Sequence, residues 1–166
     1  PIPSNWIVIQ DEESGLRAEF PHNPVEMNME FPFQNTPPKG QLRFFSSPTS
    51  KGLLALATFH SSTFNEEEIG KEQLKGFFET VLVPHLFFKP VVFTHDQTYD
   101  FQHTEEQREA FFQFSFLDKG ILKRLEGIAT IDEHTLYIAF YLASESDFDQ
   151  EVYQRFLNSI QFPNKF

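Results

Sequence analysis

The chain has 166 residues, with 24 acidic and 13 basic side chains, a net charge of -11 and no cysteine. Nucleic acid and anionic membrane surfaces repel such a chain, so a protein is the expected partner. Disulfides, thiol nucleophiles and thiolate metal sites are excluded, and no apolar run reaches the roughly 18 residues of a membrane span.

The length suits a single domain covering residues 1–166, because no linker composition divides the chain. The opening residues Pro1–Asn5 are compatible with a signal peptide or lipid anchor ahead of Pro1. Composition alone does not decide the cellular compartment of the protein.

The first third of the chain predicts extended structure. Trp6–Ile9 and Leu16–Phe20 form a hairpin by pattern, and Val25–Phe33 alternates apolar with polar residues as a half-buried edge strand would. Gln41–Phe45 resumes extended structure after a proline-rich break. Leu53–Phe59 is apolar nearly throughout, which is typical of a central strand.

A helix is predicted next. Asn65 is a candidate N-cap, and Glu66, Glu67 and Glu68 complement the positive end of the helix dipole. An apolar stripe continues until Pro84, where the helix is expected to end.

Three strands in a row organise the second half. Glu109–Leu117, Ile121–Ile131 and Thr135–Ala143 are separated by short turns, and Thr98–His103 is a further strand candidate. Apolar residues occupy both sides of these strands, which favours a sheet covered on both faces.

A second helix is predicted after this sheet, with capping groups in Ser144–Asp147. Phe148, Val152, Phe156 and Ile160 recur at helical spacing within it. One helix layer on each face of the sheet makes an α/β/α sandwich of the α+β class.

The order of these elements resembles the PsbP-like family. The residues that carry the resemblance are Phe20-Pro21-His22-Asn23-Pro24, Gly127 and Thr135-Leu136-Tyr137 in the meander, and Phe156-Leu157-Asn158-Ser159-Ile160. That family is named for an extrinsic subunit of the oxygen-evolving complex, and its fold is shared by a nuclear import factor that binds the GTPase Ran and by bacterial envelope proteins. The resemblance implies a central antiparallel sheet of six to seven strands between helices, and an adaptor or assembly role without catalysis.

Catalytic signatures are missing from the sequence. Neither a Gly-x-Ser-x-Gly elbow nor a phosphate-binding glycine loop is present, so we expect no enzyme and no cofactor. One cluster has metal-ligand chemistry: His95, Asp96, Asp100, His103, Glu105 and Glu106. On one straight strand its two histidines stand roughly 26 Å apart, so a polar hairpin facing water is the favoured interpretation.

Phenylalanine is unusually frequent, with 22 in the chain. Core packing is the favoured explanation for this frequency. The more specific alternative is an apolar ligand pocket or a hydrophobic docking patch. For a protein-binding surface we predict the following residues: Glu66, Glu67, Glu68, Leu86, Phe87 and Phe88.

The combined expectation is a non-catalytic binding or assembly domain, monomeric or homodimeric, that recognises a protein. The alternatives are a small apolar-ligand (lipid-like) binding protein, an acidic secretion chaperone that dimerises, and a metal-dependent enzyme built on the segment from His95 to Glu106. An extracytoplasmic location in a bacterium, in the periplasm or envelope, is expected, with the cytoplasm as the alternative.

Overall fold

The computed structural model describes residues 6–31, 40–61, 70–87, 100–103, 109–132 and 134–163. Within these ranges the chain is an α+β protein dominated by antiparallel sheet. The antiparallel sheet predicted from the alternating sequence is therefore confirmed.

Among the described residues, nine strands form two sheets. A two-stranded hairpin contains β1 (Ile7–Gln10) and β2 (Arg17–Phe20). The larger sheet contains β3 (Val25–Phe31), β4 (Gly40–Pro48), β5 (Gly52–His60), β6 (Asp100–His103), β7 (Glu109–Asp118), β8 (Ile121–Asp132) and β9 (Thr135–Ser144). Its spatial order is β3-β4-β5-β9-β8-β7-β6, so β3 and β6 are the outer strands of the described sheet.

The turn between β7 and β8 fixes the register of the meander. Asp118 lies opposite Ile121, which leaves Lys119 and Gly120 as a two-residue loop. Both loop residues have positive φ, 52° and 78°, as a type I′ turn requires. This turn matches the twist of the long strands on either side.

The first helix begins later than predicted. Gly70 is extended and acts as the N-cap of α1 (Lys71–Phe77), and its N–H donates to Gln73 Oε1 at 3.0 Å. The candidate cap Asn65 lies outside the described residues. Glycine is acceptable at this position because the capping contact comes from the side chain three residues later.

The prediction that Pro84 ends this helix is wrong. After α1 the chain passes through a π-helical segment, Phe78–Leu82, and continues as α2 (Val83–Phe87) with Pro84 in its first turn. Val83 N–H donates to the carbonyl of Phe78, five residues back. The wider π turn resets the hydrogen-bond register just where proline supplies no N–H and where its ring would clash in an unbroken α-helix.

One face of the sheet, the long-helix face, is covered by α1, the π segment and α2. The buried core here includes Leu42, Phe44, Phe59, Phe112, Phe114, Ile138 and Phe140 from the strands and Leu74, Phe77, Phe78, Val81 and Leu82 from the helix. Phe78 lies at its centre, with ring centroids 5.3 Å from Phe112, 5.7 Å from Phe140 and 6.2 Å from Phe114. These edge and tilted contacts fill the space between helix and sheet.

The opposite face, the hairpin face, is covered by β1, β2 and a second helix, α3 (Gln150–Ser159). Phe20 and Phe156 pack with ring centroids 5.4 Å apart, and Ser159 Oγ accepts the Glu19 N–H at 2.9 Å. Beyond the helix, Gln161 pairs with Arg17 in a single antiparallel bridge. That bridge attaches the chain after α3 to β2 of the hairpin.

The capping group of α3 also differs from the prediction. Asp149, rather than a residue of Ser144–Asp147, accepts the N–H groups of Glu151 and Val152. Residues Glu145–Asp147 instead form a 3₁₀ turn that carries the chain off β9. An aspartate two residues later is the better cap because it lets Phe148 precede the helix and pack against the sheet.

Candidate functional site

The predicted protein-binding patch falls mainly outside the described part of the chain. Four of its residues lie there: Glu66, Glu67, Glu68 and Phe88. Phe87 ends α2, and Leu86 is half-buried and packs against the core of the long-helix face. Because the helix continues beyond Pro84, Leu86 sits in its last turn and not in the loop that the sequence suggested.

The predicted metal-ligand cluster is divided in the same way. Its residues outside the described ranges are His95, Asp96, Glu105 and Glu106, whereas Asp100 and His103 are the two ends of β6. Among the described residues, no three histidine or acidic side chains are arranged to hold a metal ion.

Arg43 on β4 joins the hairpin to the large sheet. Its guanidinium binds the Asp11 carboxylate through two hydrogen bonds, Nη1 to Oδ2 at 2.6 Å and Nη2 to Oδ1 at 3.1 Å. It also lies 3.4 Å from Glu13 and 3.3 Å from Glu26. The same carboxylate accepts the backbone N–H and hydroxyl of Ser14, so the turn after β1 is fixed to the sheet through one arginine.

The charge of Asp11 is stabilised by these contacts. Burial alone raises the pKa of its carboxyl, but hydrogen bonds from Arg43 and Ser14 outweigh this and hold the pKa below its ordinary value. The same pairing raises the pKa of Arg43. Since the folded state holds the ionised form, Asp11 contributes stability above its unfolded pKa and loses it as the pH falls through the folded pKa.

Replacing Asp11 with asparagine is expected to lower the free energy of unfolding by about 1.5 kcal/mol at pH 7, because charge-assisted bonds to Arg43 are lost. Urea titrations from pH 7 to pH 2.5 measure this. The difference in the free energy of unfolding between wild type and Asp11→Asn should be largest near pH 7 and should shrink below about pH 4. Glu13→Gln, at a side chain that is 75% exposed, is the control and should change stability by less than about 0.5 kcal/mol. A stability difference that does not change with pH would contradict the stabilising role assigned to the charge of Asp11.

A second polar cluster fixes α3 to the sheet. Arg124 on β8 contacts Glu126 Oε1 at 2.6 Å and Glu145 at 3.5 Å, and its guanidinium lies 4.0 Å from the ring centroid of Phe148. Phe148 in turn packs against Tyr153, with ring centroids 5.5 Å apart, as a hydrophobic staple at the start of α3. The charge of Arg124 is therefore paired within the fold.

Tyr153 of α3 belongs to the same cluster. Burial raises the pKa of its hydroxyl, and the charge and hydrogen bonding of Glu126 raise it further. The phenol is consequently protonated at neutral pH, and the Glu126 carboxylate is its hydrogen-bonding neighbour. Such a group holds a helix in place and is a poor general base.

Strand β3 is the unusual surface of the described structure. Val25 and Met27, which point to the long-helix face, are 60% and 40% exposed. Glu26 and Asn28, on the hairpin face, are exposed as well. The sequence predicts an edge strand here, but its alternation suggested that one side would be buried, and the helix does not cover that side.

A second exposed apolar region lies at the hairpin of β7 and β8. Leu117 and Ile121, on either side of the turn, are each about half exposed, and Phe111 farther along β7 is 39% exposed. In contrast, the neighbouring Phe112 is fully buried on the other face. The alternation along the strand separates these two phenylalanines, because Phe112 shares its side with Phe114 and Phe116 and Phe111 shares its side with Glu109 and Gln113.

Compared with known proteins, the chain matches no family model and shows no significant similarity to any curated sequence. In the part of the chain that the structure describes, no helix has the length and apolar character needed to cross a membrane. The relationship to the PsbP-like family therefore stays a prediction based on the resemblance of the residues quoted above.

Proposed function

We propose that the chain is a non-catalytic binding or assembly domain that acts through contacts with another protein. The observation that carries this proposal is strand β3, whose Val25 and Met27 expose apolar surface at the rim of the sheet. The two arginine-centred clusters have the opposite character, because each arginine is paired within the fold and connects secondary-structure elements. Exposed apolar surface on a strongly acidic chain fits recognition better than chemistry.

The proposed architecture is a PsbP-like α/β/α sandwich. Its support is the cover on both faces of the sheet, with α1 and α2 on one side and α3 with the hairpin on the other. The resemblance adds an extracytoplasmic location, in the periplasm or envelope, with the cytoplasm as the alternative. The adaptor role follows from the resemblance only as a fold analogy, and β3 supplies the independent argument for it.

The apolar-ligand alternative requires a cavity lined by phenylalanine. At the centre of the long-helix face the rings contact one another, as Phe78 does with Phe112 and Phe140, which supports packing in that region. The chaperone alternative requires a homodimer. The mass of a crosslinked adduct distinguishes it from the main proposal, because a homodimer has twice the mass of the chain.

Site-specific photo-crosslinking tests the proposed function. A photoreactive residue is introduced singly at Val25, Met27 and Leu117, and at Gln154 on the exposed side of α3 as the control. In the cells that make the protein, we expect protein adducts of one defined mass from at least one of the first three positions and none from Gln154. Equal, heterogeneous labelling at all four positions contradicts the proposal.

A further inference from the structure

Strand β3 has an open backbone edge. It pairs with β4 through seven residues, Val25–Phe31, and no other described strand lies beside it. In an edge strand, alternate residues direct their N–H and C=O groups away from the sheet, where another strand can bind them.

The composition of β3 lacks most of the common protections of such an edge, and the charges that it carries are those of Glu26 and Glu30. Between Val25 and Phe31 the sequence contains no lysine, proline or glycine, and its register with β4 is continuous, without a bulge. Four consecutive residues, from Val25 to Asn28, are exposed on both faces of the sheet. The edge is therefore accessible along its first half and geometrically regular along its length.

The two faces of β3 present different chemistry to an incoming strand. On the long-helix face Val25 and Met27 are apolar. On the hairpin face the Glu26 side chain lies 3.3 Å from Arg43 and is 42% exposed, and because this one arginine also pairs with Asp11 and Glu13, negative charge is in excess there. Residues directly opposite each other in neighbouring strands share a face. An added strand consequently meets apolar groups at alternate positions and a carboxylate between them.

A second copy of this chain fits that edge poorly. Antiparallel self-pairing over the whole strand is centred on Asn28 and places Glu26 opposite position 30, which is also glutamate. By symmetry this like-charge pair occurs twice, between two chains that each carry a net charge of -11. The carboxylates thus oppose self-association and favour a basic partner.

From this charge pattern we propose that β3 accepts an extended segment of a partner protein as an additional strand, and that basic side chains alternate with apolar ones in that segment. The inference rests on the proposed function and specifies how the partner is bound. Backbone hydrogen bonds supply affinity in this mode, while the alternating side chains supply selectivity.

The test uses two synthetic heptapeptides, Val-Lys-Val-Lys-Val-Lys-Val and its counterpart with glutamate in place of lysine, because the even positions of such a peptide pair with Glu26 and Glu30. Backbone amide exchange by NMR locates binding on the whole chain, and fluorescence anisotropy of the peptides, each labelled at its N-terminus, gives affinities. We expect slower exchange in β3 with the lysine peptide, and about fivefold tighter binding of it than of the glutamate peptide. In Glu26→Gln, which removes the carboxylate charge without placing a second cation beside Arg43, this preference should fall to about twofold or less, with the circular dichroism spectrum unchanged.

Three results of the peptide and exchange measurements would overturn the inference. They are unchanged exchange in β3 at about 1 mM lysine peptide, a peptide preference that Glu26→Gln leaves intact, and protection of β3 in the free protein that grows with its concentration. The last result identifies a second copy as the occupant. Crosslinks at Leu117 without any at Val25 or Met27 would also reject strand addition at β3, yet they would leave the proposed binding function standing.

Discussion

Replacing Phe78 with alanine is expected to lower the free energy of unfolding by about 4 kcal/mol, the upper part of the range for large-to-small core substitutions. Phe78 is fully buried, and its ring contacts three phenylalanines that come from β7 and β9. Its removal leaves a cavity at the point where the helix meets the sheet. Urea unfolding monitored by circular dichroism measures the loss.

Phe111→Ala is the matched control, since it deletes the same side chain from a position that is 39% exposed. We expect it to cost less than about 1 kcal/mol, because much of the ring already contacts water. Similar losses for the two variants would mean that the helix does not pack on the long-helix face as described.

The second large effect is expected at Gly127, in the interior of β8. A Cβ at this position would lie 2.0 Å from the carbonyl oxygen of Ala139 and 2.8 Å from the Cα of Phe140. Both atoms belong to the backbone of the neighbouring strand β9, so no rotation of a side chain relieves the contact. Gly127→Ala is expected to lower the free energy of unfolding by about 3 kcal/mol, or to prevent folding at 37 °C.

Gly76→Ala provides the control for this substitution. Gly76 lies within α1, and a Cβ there would meet no atom within 4 Å. Alanine at this position should raise stability by about 0.5 to 1 kcal/mol, since glycine weakens a helix interior. Thermal unfolding of both variants gives the comparison. A loss at Gly76→Ala, or none at Gly127→Ala, contradicts the described packing.

The alternation of apolar residues was sufficient to predict most of the sheet. Phe44 and Phe45 show why, because adjacent residues of a strand point to opposite faces, and the two are buried in different cores. The same reasoning distinguishes Phe111 from Phe112, because Phe112 shares a side of the strand with Ala110, Phe114 and Phe116, whereas Phe111 shares the other with Glu109 and Gln113. Phe112 is fully buried and Phe111 is 39% exposed.

Predictions from residue type and local alternation failed at positions where the surrounding structure overrides them. Pro84 is a strong helix breaker by residue type, yet the π segment before it shifts the hydrogen-bond register and the helix continues. The exposure of Val25 and Met27 has a similar origin. Their alternation predicts burial on one side, but the helix covers the middle of the sheet and leaves these two side chains exposed.

The most direct test of protein binding through β3 is hydrogen exchange of the intact chain, with and without the partner identified by crosslinking. Binding through β3 predicts that Val25–Phe31 gains the largest protection, whereas the turn between β7 and β8 changes little. Protection centred on that turn, or on the core of the long-helix face with β3 unchanged, would contradict the assignment of β3 as the binding element.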